Sequence, residues 1–144
     1  DAGNRGQQLV NEATHCGACH TKRGLFGGLD VNAKLAGNTN LPGGSKAPSI
    51  STEDLLSRGW TVANMAYALR TGITPDGDVL GGSMAEAIAQ GTGMLTEGDR
   101  EAIATYLLTP SGQISVGLPT NAAVSSMAGM EGMEGMAGME SGGN

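Results

Sequence analysis

The chain has 144 residues and two cysteines, and both cysteines fall in Cys16-Gly17-Ala18-Cys19-His20. No other feature constrains the chain as much. Three chemistries use such a run. A redox disulfide of the thioredoxin kind needs a βαβ setting, and no alternation of strand and helix patterns surrounds these residues. A zinc site needs two further ligands; His15 and His20 are the only histidines, and neither stands at a zinc-finger spacing. The third is one covalently attached haem c, in which each thiol adds to a vinyl group and His20 binds the iron from one face. Two residues between the thiols let one turn of chain span neighbouring pyrrole edges, and the next residue then lies under the iron. The composition agrees with this reading. One Trp, two Tyr and one Phe supply little of the aromatic area that normally fills a core. A large flat apolar group would fill it instead.

Length points to one domain with an appendage. The net charge is −6 and there is no basic run, which argues against nucleic acid and against anionic membranes as partners. No apolar stretch reaches the roughly 18–20 residues of a transmembrane helix. The start, Asp1-Ala2-Gly3, lacks the regions of a signal peptide, so either none exists or it has been removed.

A second axial ligand has to come from the opposite face, hence from far along the chain. Met65 lies in a helical pattern with apolar positions at 62, 65, 66 and 69, where core packing explains it. Met84 follows a Gly-rich loop, residues 75–83, that allows close approach to a ring face. Met94, in Gly91-Thr92-Gly93-Met94, is the weaker rival. His15 adjoins Cys16 on the proximal side and reads as solvent-facing. Met84 is the expected distal ligand.

The remaining pattern is helical. Residues 4–15 read as a first helix running into the cysteine motif. Residues 24–60 are Gly- and Asn-rich and read as one long loop around the haem edge. The helix from Val62 to Arg70 is expected to stop at Gly72. Ser83 and Glu86 form an S-x-x-E pattern that would start a short helix. Thr96 caps a last helix over 97–108, whose apolar stripe is Leu95, Ala102, Ile103, Tyr106 and Leu107. Gly6 and Tyr106 are placed to interlock where first and last helices cross. No segment reads as a strand, so the fold class is all-α, a few helices wrapped around one haem.

These residues together resemble a class I cytochrome c. More narrowly, the chain resembles the single-haem domains of the cytochrome subunits of membrane-bound bacterial alcohol and aldehyde dehydrogenases. The matching residues are Leu9-Val10, His15 to Thr21 with Arg23, Ala47-Pro48-Ser49-Ile50, Trp60-Thr61 and Thr71-Gly72 with Pro75-Asp76-Gly77. Gly82-Ser83-Met84-Ala85-Glu86 and Ala102-Ile103-Ala104-Thr105-Tyr106-Leu107 complete them. The resemblance spans about residues 4–108. It implies that Cys16 and Cys19 attach the haem, that His20 is the proximal and Met84 the distal iron ligand, and that the Pro48 carbonyl accepts from the other His20 nitrogen. It also implies that Arg23 and Trp60 lie near the propionates. Two departures from the relatives are Lys22 and Ser49, where Pro and Asn are usual. The relatives also often carry two or three such domains, whereas this chain has one C-x-x-C-H.

A composition shift after Pro110 separates a haem domain, 1–110, from a Gly/Met-rich tail, 111–144. The tail holds three Glu and no basic residue. Met127, Met130, Met133, Met136 and Met139 recur every three residues. Three readings of the tail stay open: a low-complexity flexible segment, a Cu(I) site, since soft thioethers suit that ion, and a docking segment for a partner.

A haem with His and Met on its two faces leaves no open position for substrate, and Met ligation raises the potential. The leading expectation is therefore a non-enzymatic one-electron carrier. Its redox partners would be a dehydrogenase as donor and a cytochrome or oxidase as acceptor. The alternatives are a haem enzyme or ligand sensor with a displaceable Met, or a copper-handling cytochrome that uses the tail. Haem attachment of this kind, by the resemblance, places the protein in the bacterial periplasm or otherwise outside the cytoplasm.

Overall fold

The computed structural model describes residues 1–110. The tail from residue 111 onward, with Met127, Met130, Met133, Met136 and Met139, lies outside the described residues. Six α-helices make up the fold: α1 (Ala2–Gln8), α2 (Cys16–His20), α3 (Thr52–Ser57), α4 (Val62–Thr71), α5 (Gly82–Gln90) and α6 (Glu97–Leu108). Among the described residues extended pairing is limited to isolated bridges, Thr21 with Gly37, Arg23 with Leu29, Asn38 with Ala47 and Ile73 with Val79. The all-α expectation holds.

The core is built where α1 crosses α6. Leu9 and Val10 from the first helical segment meet Leu55, Met65 and Leu69, and Ala102, Ile103, Ala104, Leu107 and Leu108 of α6 close the cluster. The crossing depends on Gly6. A Cβ at that position would fall on the Ala102 carbonyl and stand 2.7 Å from Tyr106 Cβ. Arg5 and Asp99 clamp the same crossing from outside through a forked ion pair of 2.9 and 3.2 Å.

Helix ends follow local chemistry in most places. Thr61 and Asn64 form a reciprocal cap at the start of α4, and Gly72 ends it in the left-handed conformation (φ 78°). Thr96 accepts from the Asp99 backbone N–H at the start of α6, as expected.

Three expectations need correction. The first helix does not run smoothly over 4–15. After α1 the chain widens into a π-helical turn, Leu9–Ala13, in which Thr14 N–H reaches back to the Leu9 carbonyl (2.8 Å). The extra residue keeps Gly6, Leu9 and Val10 against the core while turning the chain toward the cysteines. Second, the long loop over 24–60 contains α3, capped by Ser51, and two 3₁₀ turns, Val31–Ala33 and Pro42–Gly44. Buried Leu55 and the Thr52 hydroxyl, which donates to the Leu107 carbonyl at 2.8 Å, hold α3 on the core. Third, the Ser83–Glu86 cap does not form. Gly81 takes the N-cap position, so Ser83 lies already inside the first turn of α5 and cannot reach its own third residue.

Candidate functional site

The cysteine run forms a single helical turn, α2, and His15 precedes it with φ 52° and ψ 39°. A left-handed residue other than Gly is uncommon, and here it bends the chain sharply between the π turn and α2. The bend leaves His15 exposed and brings Cys16 onto the core, while Cys19 is exposed. Both thiols are free. Thr14 Oγ1 lies 2.9 Å from the Leu9 carbonyl and 3.2 Å from Cys16 Sγ. A hydroxyl that donates its proton to the carbonyl can only accept from the thiol. Burial pushes the Cys16 thiol up from its ordinary value.

His20 is buried and fixed at both its backbone and its ring. Its carbonyl accepts from Gly37 N–H at 2.7 Å. Its Nδ1 lies 2.8 Å from the Pro48 carbonyl. A carbonyl can only accept, so the proton is on Nδ1 and the Nε2 lone pair is free. Burial lowers the pKa of this imidazole, which keeps it neutral and suited to a metal. Gly37 holds the two attachments together. It has φ 95°, and a Cβ there would meet Ser49 N at 2.9 Å, Ala47 O at 3.0 Å and Pro48 C at 3.1 Å. Only glycine lets this strand pass so close beneath the Pro48 peptide. Thr21 is also buried; its Oγ1 accepts from Leu35 N–H at 2.9 Å and fastens the loop to the motif.

Met84 lies in the first turn of α5, half-buried against the same core cluster as Cys16 and Trp60. Both ends of its segment are tied down. Before α5, Leu80 N–H donates to the Gly72 carbonyl (2.7 Å) behind a tight turn over Thr74–Asp78. After α5, the Thr92 hydroxyl donates to the Leu69 carbonyl (2.6 Å). The buried Arg100 guanidinium then collects the carbonyls of Thr92, Gly93 and Leu95. Met94 is 78% exposed, and Met65 is buried in the core. Of the three rivals, Met84 alone is both within reach of the core rim and unshielded by it.

Of the residues expected near propionates, Trp60 packs on the core rim and Arg23 is exposed, donating to the Gly27 carbonyl at 2.9 Å. Sequence reading missed Arg58, which bonds the Ser49 and Asp54 carbonyls beside Pro48, as well as Gly37, Thr14 and Arg100. A positive-φ glycine facing an Ala-Pro segment leaves no local signature. Arg100 could have been suspected as a lone cation on the otherwise apolar side of α6.

Half-buried Cys16, Ile50, Trp60, Ala66, Met84, Leu95 and Tyr106 form an apolar rim around the core. The rim carries the Cys16 thiol and the Met84 thioether, and the cysteine turn adds the exposed Cys19 thiol and a neutral His20 imidazole with Nε2 available. This donor set fits a covalently held haem. Among the described residues no group of three or more His, Cys, Asp or Glu is placed to hold a metal ion. A surface cleft of about 190 Å³ between α4 and α6, beside Tyr67 and Arg100, touches none of these donors.

The cytochrome c family model matches residues 3–111. The chain belongs to the cytochrome c family. That family's chemistry is haem-based electron transfer, and the one C-x-x-C-H accounts for one haem c attachment. This cytochrome c domain is 41% identical over 103 residues to a diheme cytochrome c-type protein of Cereibacter sphaeroides, covering 72% of the chain and 33% of the relative. It is 38% identical over 108 residues to the fructose dehydrogenase cytochrome subunit of Gluconobacter japonicus, covering 74% and 22%. It is 36% identical over 111 residues to the cytochrome c subunit of the quinone alcohol dehydrogenase of Gluconobacter oxydans, covering 72% and 23%. The chain thus spans a third or less of the length of these relatives. Among the described residues no helix is long and apolar enough to cross a membrane.

Proposed function

We propose that the chain is a one-electron carrier whose single haem c is attached through Cys16 and Cys19 and ligated by His20 and Met84. The observation that carries this reading is the His20–Pro48 hydrogen bond at the end of the cysteine turn. It orients the imidazole, fixes its tautomer and makes Nε2 a better donor, which is what second-shell partners do for metal-bound histidines. Haem supplies a reversible Fe(III)/Fe(II) couple. The chain's own contribution is to hold both ligands without rearrangement: His20 through Pro48 and Gly37, Met84 through anchors at Leu69, Gly72 and Arg100. Trp60, Ile50 and Leu95 exclude water from the rim. Pro48 and its loop are read as a positioning wall on the proximal side, and Arg23 and Trp60 as groups beside the propionates.

The names of the relatives, cytochrome subunits of fructose and alcohol dehydrogenases, support a dehydrogenase as electron donor; a cytochrome or oxidase as acceptor and an extracytoplasmic bacterial compartment complete the proposal. Residues 1–110 act as the haem domain. A denaturing gel stained for haem, followed by redox titration of the purified chain, tests the proposal. A stained band and a reversible one-electron wave are expected. A ferric protein that binds cyanide as fast as an open five-coordinate haem would instead favour a haem enzyme or ligand sensor.

A further inference from the structure

The one phenylalanine of the chain is not in its core. Phe26 is 97% exposed and Leu25 beside it 94%. They are not on a loose end. Gly24 N–H donates to the Gly28 carbonyl (2.7 Å), Gly27 N–H to the Gly24 carbonyl (3.0 Å), and Arg23 pairs with Leu29 in a bridge. Gly27 turns the tip at φ 83°. A closed hairpin tip therefore holds two large apolar side chains out into water. Val31, farther along the same segment, is also 82% exposed.

The tip has a charge of its own. Residues 22–34 contain Lys22, Arg23 and Lys34 against one carboxylate, Asp30. The other described residues hold five cations and ten carboxylates, net −5. Lys22 is compensated by Asp30 at 3.6 Å. Among the described residues Arg23 has no carboxylate partner, and its bond to the Gly27 carbonyl keeps its charge at the base of the apolar tip. The hairpin leaves the chain directly after His20 and is tied back there: Thr21 pairs with Gly37, and Asp30 N–H donates to the Lys22 carbonyl (2.9 Å).

We infer that the Leu25–Phe26 tip, with Arg23 at its base, is the docking point for a redox protein whose contact surface has an apolar pocket rimmed by carboxylates. The inference rests on the electron-transfer reading above. An acidic partner is attracted at the tip and repelled by the −5 remainder, so it meets the chain in one orientation. That orientation seats it a few residues from the exposed Cys19, at the haem attachment. An apolar anchor surrounded by steering charges is the arrangement expected of a transient complex. A flat anionic bilayer is a poorer match, because it is too broad to meet the tip without also facing the acidic remainder.

The test uses the full haem-loaded chain in its source organism. A benzoylphenylalanine photocrosslinker replaces Phe26, and in a control chain it replaces Val79, which is 69% exposed on the α4–α5 turn. Light should join position 26, and not 79, to an oxidoreductase subunit through a Glu/Asp-rich peptide. In intact spheroplasts Phe26→Ser should slow oxidation and reduction of the haem at least tenfold, and Arg23→Glu should slow them similarly at low salt. Adducts to lipid alone, no adduct at 26, or unchanged turnover in both variants would overturn the inference. So would faster turnover on charge reversal, which would mean a basic partner. Reduction by ascorbate and oxidation by ferricyanide are followed in parallel. If the wild-type haem does not cycle with these reagents, the electron-transfer reading fails; if it cycles and the tip variants behave as wild type, only the docking inference fails.

Discussion

Gly6 of α1 and Tyr106 of α6 meet so closely that a Cβ on residue 6 would stand 2.7 Å from Tyr106 Cβ, with the Ala102 carbonyl nearer still. The neighbour in the way is backbone, which cannot swing aside. Gly6→Ala must therefore push α1 off α6 and open the core at Leu9 and Val10. Overpacking of this kind costs about 1–3 kcal/mol, and here the upper end is expected. Denaturant unfolding followed by helical circular dichroism measures it. A melt indistinguishable from wild type would mean the helices do not cross at this point.

Gly37 supports the proximal ligand without touching it by a side chain. Gly37→Ala introduces a Cβ within 2.9–3.1 Å of three backbone atoms and also strains φ at 95°. The left-handed penalty alone is about 1–2 kcal/mol. The His20–Pro48 bond should lengthen, which weakens Nε2 donation to Fe(III), so a higher redox potential is expected along with lower stability. Voltammetry of the variant beside wild type reads the first effect and thermal melting the second. Loss of stability with the potential unmoved would show that Pro48 does not tune the histidine.

The methionines differ in what their removal should do. Met84→Ala should abolish the Fe–S charge-transfer band, lower the potential and admit carbon monoxide rapidly. Met94→Ala, at a side chain that faces solvent, should change none of these. Met65→Ala should leave the band and cost about 2–5 kcal/mol of stability, as a core truncation does. Absorbance spectra and melts of the three variants separate the roles. A band that disappears in Met94→Ala alone would move the distal ligand.

The Arg5–Asp99 pair makes stability depend on pH in a definite direction. The Arg5 guanidinium hydrogen-bonds Asp99 and holds its carboxyl below the ordinary carboxylate value. In the unfolded chain that pairing is absent, so the unfolded state takes up a proton at higher pH. The pair's contribution is complete above the unfolded carboxylate pKa and fades as pH falls through the lower folded value. Both groups meet solvent, so the effect is small and salt-sensitive. Acid unfolding of wild type and Asp99→Asn at low ionic strength should converge at the acid end and diverge near neutrality, with wild type the more stable.

Removing residues 120–144 should spare the haem spectrum and the melting temperature, because the family match ends at residue 111 and the apolar residues of α6 end at Leu108. A Cu(I) competition titration on full-length and truncated chains then asks whether the five Met residues beyond 126 have a use of their own. A truncated chain that unfolds or sheds haem would place the domain boundary beyond Pro110.

Much was legible from local spacing. Cys16 and Cys19 with His20 specify their chemistry because three side chains within one turn must fall together whatever the rest of the chain does. Thr61, Gly72 and Thr96 mark helix ends by bonds to residues one turn away, and Gly6 announces a close crossing because a helix interior rarely tolerates glycine without a packing reason. The tertiary structure decided what depends on distant partners. The π turn and the left-handed His15 arise where α1 must satisfy α6 and α2 must still reach the core rim. Helix α3 exists because Leu55 finds a buried place, and its six residues are too few to hold a helix alone. The Ser83 cap is lost because the turn ending at Leu80 delivers the chain to an N-cap at Gly81, two residues earlier than the pattern suggests. Pro48 stands at His20 across 28 residues because Gly37 admits its backbone between them. Phe26 stays in water because hydrophobicity alone does not bury a residue at the tip of a closed turn. Bonds within one turn are fixed by the order of residues; burial and long-range approach are fixed only when the whole chain has closed.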